Sequence, residues 1–82
     1  MAIAEYVTRF DKDRFYITVG ERIIATREAL GWNQQKLADA ANLSKSTIHN
    51  AEVGTTCSVL VLTRIAEALD VLVDELIPTE AT

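Results

Sequence analysis

Hydrophobic residues recur at helical spacing along most of the chain. Four large apolar side chains share one face of the first predicted helix: Val19, Ile23, Ile24 and Leu30. Thr18 and Glu21 fit a capping box at its start, and Gly31 fits the position just after its end. The pattern therefore predicts a first helix over roughly 19–30.

Start and stop signals predict four more helices. Helices are expected over roughly 34–41, 45–52 and 72–77, with a fourth helix beginning after Ser58. Asn33 and Ser44 are side chains that cap helix starts, and Asn42 tolerates the left-handed backbone of a sharp turn. Pro78 ends the last helix because proline cannot continue the hydrogen-bond pattern.

The first seventeen residues fit two structures. The runs YVTRF and RFYITV favour strands, and residues 11–13 between them fit a hairpin turn. An amphipathic helix over 2–10 is the alternative. Four of the five aromatic residues lie in this segment, so we expect it to pack on the domain or on a partner chain. We therefore divide the chain into an N-terminal extension (1–17), a domain (18–78) and a tail (79–82).

The segment QQKLADAANLSKSTIHNAEV, residues 34–53, has the pattern of two helices that pack across a turn. Small or apolar residues occupy its inward positions: Leu37, Ala38, Ala41, Leu43, Ile48 and Ala51. Ala38 is small where the later helix crosses closely, and Ile48 anchors that helix. The opposite face is polar and free of acids: Lys45, Ser46, His49 and Asn50. The pattern predicts a helix-turn-helix with an exposed polar surface.

At this point the sequence resembles the Cro and lambda-repressor-like (XRE-type) helix-turn-helix family over about residues 18–77. The matching positions include Gly20-Glu21-Arg22-Ile23, Leu30-Gly31, Asn33-Gln34, Leu37-Ala38, Ser44, Ile48, Glu52-x-Gly54 and Ile65-Ala66-x-x-Leu69. The resemblance implies an all-α fold, a compact five-helix DNA-binding domain, with a recognition helix over about 45–52 in the major groove.

The resemblance also implies roles for individual residues. The positions that read base edges are Lys45, Ser46 and Asn50, with His49 as a weaker candidate. The candidates for phosphate contacts are Asn33, Gln34, Lys36, Ser44 and Thr47, and Gln34 also matches a family residue that braces the recognition helix. Arg27 and Glu52 match a family ion pair that holds the recognition helix against the first helix.

The net charge of −4 opposes DNA binding, but its distribution does not. Residues 1–31 are balanced, and residues 32–51 carry two lysines against Asp39. The acids concentrate in residues 67–82, which contain no base. The TTCS loop after Gly54 is neutral, whereas many relatives carry bases there. We therefore expect a DNA affinity that depends weakly on salt.

The composition gives little support to catalysis or metal binding. Hydrophobic residues make up 49% of the 82 residues, which is typical of one folded domain. With a single cysteine, Cys57, and a single histidine, the chain has no disulfide pair and no zinc-ligand cluster. We expect no cofactor, no metal and no enzymatic activity. With no signal peptide or membrane-spanning run in the pattern, we expect a cytoplasmic protein.

The C-terminal stripe is more apolar than one short helix requires, and we expect part of it to form a homodimer interface: Val71, Leu72, Val73, Leu76 and Ile77. Such a homodimer would read two half-sites about one DNA turn apart, in a pseudo-palindromic double-stranded operator. The leading hypothesis is a phage repressor, a restriction-modification controller or an antitoxin-like autoregulator. The alternative is a protein-interaction module with a degenerate helix-turn-helix, using the N-terminal arm or the acidic tail.

Overall fold

The computed structural model describes residues 11–55 and 57–78, and every regular element within these ranges is a helix. The five helices are α1 (Lys12–Ala29), α2 (Gln34–Ala41), α3 (Lys45–Val53), α4 (Val59–Leu69) and α5 (Val73–Leu76). This is the all-α, five-helix architecture that the sequence pattern and the family resemblance predict.

Helix α1 begins earlier than the sequence predicts. Asp11 caps it, because its side-chain Oδ1 accepts the N–H groups of Asp13 at 3.0 Å and Arg14 at 3.2 Å. The expected start at residue 19 is therefore wrong, and so is a hairpin turn at 11–13. The β-favouring residues are helical because Phe15 packs against the core four residues before buried Val19. The rival helix over 2–10 lies outside the described residues.

Helices α2, α3 and α4 each begin at a predicted cap. Asn33, Ser44 and Ser58 each accept the N–H of the residue three positions on, at 2.8–3.1 Å. Asn42 ends α2 in the left-handed region, with φ 57°, as predicted. Asp70 ends α4 in the same conformation, with φ 60°, which the sequence analysis did not anticipate.

The core is one cluster to which all five helices contribute. Its largest fully buried side chains are Val19, Ile23, Leu37, Ile48, Ile65 and Leu76. Leu76 is 0% exposed, so it belongs to the core of the protomer and not to an exposed interface as expected. Arg22 of α1 donates from Nη1 to the carbonyl of Ile77 at 2.9 Å, which ties the chain after α5 to α1.

Helices α1 and α3 approach each other closely at Gly20. A Cβ atom at this position would lie 2.8 Å from the carbonyl oxygen of Ala51 and would also overlap the carbonyl of Glu52. Both obstacles are backbone atoms, which cannot rotate away. The missing side chain thus sets the spacing of these two helices.

We predict that Gly20→Ala destabilises the fold by about 1–3 kcal/mol, because an added methyl forces the two backbones apart. The sign of the change in the free energy of unfolding tests the close approach, because a glycine-to-alanine substitution in a helix interior ordinarily stabilises a protein by about 1 kcal/mol. Urea unfolding followed by circular dichroism measures the change. Ala25→Gly, at an exposed site of α1, is the control for the propensity term. A more stable G20A variant would contradict the close approach.

Candidate nucleic-acid interface

The turn between α2 and α3 is fixed by hydrogen bonds on both sides. Asn42 turns the chain, and the N–H of Leu43 returns to the carbonyl of Ala38 at 2.9 Å. Ser44 then caps α3 through the N–H of Thr47 at 3.0 Å. Ala38 and Ile48 are both 0% exposed, so the contact between the two helices is closed to solvent. The turn therefore holds α3 at one angle to α2.

The outward face of α3 presents four exposed polar side chains, Lys45, Ser46, His49 and Asn50, and ends at Val53, which is 54% exposed. The structure brings these predicted base-reading residues together because Ile48 and Ala51 on the opposite face are buried. None of the four uses its side chain in a hydrogen bond to the described residues. These four side chains are therefore available to bind a ligand without breaking a hydrogen bond to the described residues.

A buried ion pair joins α1 to α3. Arg27 donates from Nε to Glu52 Oε2 at 2.6 Å and from Nη2 to Glu52 Oε1 at 3.1 Å. Only 11% of the arginine side chain and 2% of the glutamate side chain are exposed. The hydrogen bond to Glu52 raises the pKa of Arg27 above its ordinary value, although burial acts in the opposite direction. Arg27 also donates to the carbonyl of Trp32 at 2.7 Å.

Gln34 extends this ion pair to α2. Its Nε2 donates to Glu52 Oε1 at 2.9 Å, so one carboxylate holds groups from α1 and α2. The family resemblance implies that Gln34 contacts phosphate and braces the recognition helix, and this bond joins it to that helix. The sequence analysis did not identify Glu52 as its partner, because positions 34 and 52 have no periodic relation. A side-chain amide has two N–H groups, and the second remains available to a ligand.

The other predicted phosphate residues lie at the N-terminal ends of α2 and α3. Ser44 Oγ and Thr47 Oγ1 are 2.8 Å apart, so one hydroxyl donates to the other and one hydroxyl hydrogen remains. Asn33 uses its carbonyl oxygen as the cap and keeps its amide N–H groups. Lys36 Nζ lies 5.7 Å from the centroid of the Trp32 ring, in a cation–π contact.

Thr55 is a supporting residue that the sequence analysis missed. Its Oγ1 donates to the carbonyl of Asn50 at 2.6 Å, and its backbone N–H donates to the same oxygen at 3.1 Å. These bonds satisfy a carbonyl in the last turn of α3, beside the predicted base-reading side chains. The sequence signal for this supporting role is the position of the threonine directly after Gly54. This glycine has φ 97° and ends α3.

The C-terminal apolar residues and Cys57 lie outside the α2–α3 unit and differ in exposure. Leu72 is 68% exposed, whereas Val71, Val73 and Ile77 are partly buried against the core. Cys57 is half-buried in its loop, where burial raises the pKa of its thiol. No group of three or more His, Cys, Asp or Glu side chains in residues 11–55 and 57–78 is placed to hold a metal ion.

We predict that Glu52→Gln destabilises the fold by about 3–5 kcal/mol, because it leaves the Arg27 guanidinium buried without its counter-charge. Chemical unfolding of the variant measures the loss. Glu21→Gln, at an exposed position of α1, is the matched control and should change stability by less than about 0.5 kcal/mol.

The double variant R27M/E52M should recover most of the stability lost in E52Q, since it buries no lone charge. Equal stabilities for E52Q and E21Q would show that the ion pair contributes nothing.

A solved structure shares this geometry. It is the restriction-modification controller protein C.AhdI from Aeromonas hydrophila, which aligns with a TM-score of 0.71 and 31% sequence identity. The alignment covers 74% of this chain and 94% of that chain. No curated protein matches the sequence. None of the helices in the described part of the chain is long and apolar enough to cross a membrane.

The family model described as helix-turn-helix matches residues 23–76, which include α2, the turn, α3 and the helices that hold them. This match, the likeness to a controller protein and the exposed polar face of α3 agree with one another. The chain belongs to the helix-turn-helix family, among the Cro and lambda-repressor-like (XRE-type) DNA-binding transcriptional regulators.

Proposed function

We propose that this regulator reads a specific double-stranded operator as a homodimer, with α3 of each protomer in the major groove. The observation that carries the proposal is the contrast between the two faces of α3. One face is fixed by buried Ile48 and by the Arg27–Glu52 pair, and the other presents four exposed polar side chains without an acid. A rigid helix with an uncommitted polar face suits base reading.

The side chains on this face match the donors and acceptors of base edges. Lys45 donates to O6 and N7 of guanine, and Asn50 both donates to and accepts from adenine. Ser46 contacts either base, and His49 adds a donor or an acceptor at the edge of the same face. Because the four side chains have no described partner inside the protomer, contact with DNA breaks no internal hydrogen bond.

Phosphate contacts are proposed for the N-terminal ends of α2 and α3. The second N–H of Gln34, the amide of Asn33 and the free hydroxyl hydrogen of the Ser44–Thr47 pair are donors, and Lys36 adds charge. Free N–H groups at the starts of helices favour anions at the same place. The bond from Gln34 to Glu52 couples a phosphate contact to the ion pair that orients α3.

The narrower role proposed is a repressor or controller whose two protomers each place α3 in one half of a pseudo-palindromic operator. The aligned protein is named a restriction-modification controller, which favours that role over a phage repressor or an antitoxin-like autoregulator. Leu72 and the exposed parts of Val71, Val73 and Ile77 are proposed for the dimer interface. A protein of this kind acts through DNA and a second copy of itself and requires no cofactor.

The test begins with selection of bound duplexes from random DNA, which supplies an operator. We predict that Lys45→Ala and Asn50→Ala each weaken binding to the selected operator by about 5–150-fold per half-site, because each bidentate contact contributes about 1–3 kcal/mol and a dimer loses one contact in each half-site. N50A should bind a scrambled duplex as the wild type does, whereas K45A, which also removes a cation, should weaken binding to the scrambled duplex less than binding to the operator. Fluorescence anisotropy measures both affinities.

Lys36→Ala is the comparison variant, since it carries a proposed phosphate contact. It should weaken binding to the selected and the scrambled duplex by the same factor. If no duplex is enriched, or if K45A and N50A bind the operator like the wild type, the protein-interaction module becomes the better interpretation.

We also predict a shallow salt dependence. The α2 and α3 segments offer only Lys36 and Lys45 per protomer, so a dimer presents four lysines to DNA. A plot of log affinity against log salt concentration should have a slope of magnitude about 4 or less. A slope near 9, as expected for about ten phosphate contacts, would refute the proposal that polar base contacts dominate.

A further inference from the structure

Two exposed apolar sites lie at opposite ends of α4. Val59 and Leu60, in its first turn, are 81% and 61% exposed, and Leu72, just beyond its C-terminal end, is 68% exposed. The 11 residues of α4 extend over roughly 16 Å. The two sites are too far apart to cover each other within one protomer, so each presents apolar surface to solvent.

Between these ends, α4 carries one cation and one anion on the same side. Leu60, Arg64 and Glu67 are spaced by four and three residues and share a face of the helix, opposite buried Ile65. Val71 follows, and its N–H donates to the carbonyl of Ala66 at 3.0 Å, which keeps it against the end of α4. We name Leu60, Arg64, Glu67 and Val71 the α4 stripe.

The residues of the α4 stripe follow the order apolar, cation, anion, apolar. When a second copy of the stripe runs in the opposite direction, each apolar residue faces an apolar residue and each cation faces an anion. If two copies of α4 lie antiparallel around a twofold axis between residues 65 and 66, Arg64 of each meets Glu67 of the other. Leu60 then lies at the C-terminal end of the other copy's α4, against which Val71 is held. A twofold interface requires this self-complementarity.

The geometry points to the α4 stripe as the surface on which a second copy of this chain binds, in antiparallel orientation. This inference rests on the homodimer of the proposed function and specifies its surface. It extends the expected C-terminal interface to α4 and adds Leu60, Arg64 and Glu67, which no earlier step assigned.

Arg64 is already positioned for such a contact. Its Nη1 donates to the carbonyl of Asn42 at 3.2 Å, and Arg64, Glu67 and Asn42 line one open cleft between α2 and α4. An arginine has five N–H donors, so others remain for the Glu67 carboxylate of the second copy. Acidic Asp70 falls opposite uncharged Val61, so the pairing brings no like charges together.

Charge reversal tests the pairing. R64E and E67R should each weaken self-association at least tenfold, because every homodimer then contains two like-charge contacts. The double variant R64E/E67R restores both contacts and should return to the wild-type association constant. Sedimentation equilibrium measures all four proteins, and circular dichroism verifies that each is folded.

Mixing the two single variants separates pairing from folding. An R64E protomer and an E67R protomer present opposite charges at both contacts, so the mixture should form heterodimers, which native mass spectrometry distinguishes by mass. A fold damaged by loss of the Arg64–Asn42 bond would not be rescued in this way. A mixture that contains no excess of heterodimer overturns the inference.

Leu60→Glu tests the apolar end of the α4 stripe and should weaken self-association at least tenfold. Leu30→Glu is the matched control, since Leu30 is 47% exposed at the end of α1, away from the stripe. A wild-type dimer that L60E leaves unchanged overturns the α4 stripe but not the homodimer. A wild-type chain that is monomeric at its highest soluble concentration overturns both the α4 stripe and the homodimer. Operator binding by α3 is measured separately, so DNA binding can still be confirmed in that case.

Discussion

The carboxylate of Glu52 is the point at which three helices of this domain are held together. It accepts two hydrogen bonds from Arg27 of α1 and one from Gln34 of α2, while its own backbone belongs to α3. A buried charge of this kind is tolerated only when its partners are complete. Any rotation of α3 that separates it from α1 therefore loses the compensation of both charges at once.

A steric constraint acts at the same place. Gly20 lets the backbone of α1 approach the carbonyls of Ala51 and Glu52, so the attractive contact and the limit of approach involve neighbouring atoms. The ion pair resists separation of the helices and the backbone contact resists compression. Together they set the position of α3 more sharply than apolar packing, which is not directional.

The sequence predicts well what local chemistry determines. The caps at Asn33, Ser44 and Ser58, the left-handed Asn42 and the buried Ile48 all follow from spacings of a few residues. The predicted start of α1 is wrong because the Thr18–Glu21 capping-box pattern and the strand-favouring residues before it conceal the cap at Asp11, and the packing of Phe15 is a tertiary contact. The bond between Gln34 and Glu52 and the burial of Leu76 depend on contacts between distant segments, which periodicity does not encode.

The division of labour between α3 and α4 follows from where the charges lie. The acids of residues 67–82 cannot face phosphate without repulsion, and the polar face of α3 cannot be buried against a second protomer without stranding its donors. In the proposed complex, DNA reading and self-association therefore belong on different helices, joined by the short loop after Gly54. Because α2 and α3 carry few cations, the proposed affinity depends on the orientation of polar contacts. The Glu52 network fixes that orientation within one protomer, and in the proposed dimer the pairing of two protomers would fix it between the two recognition helices.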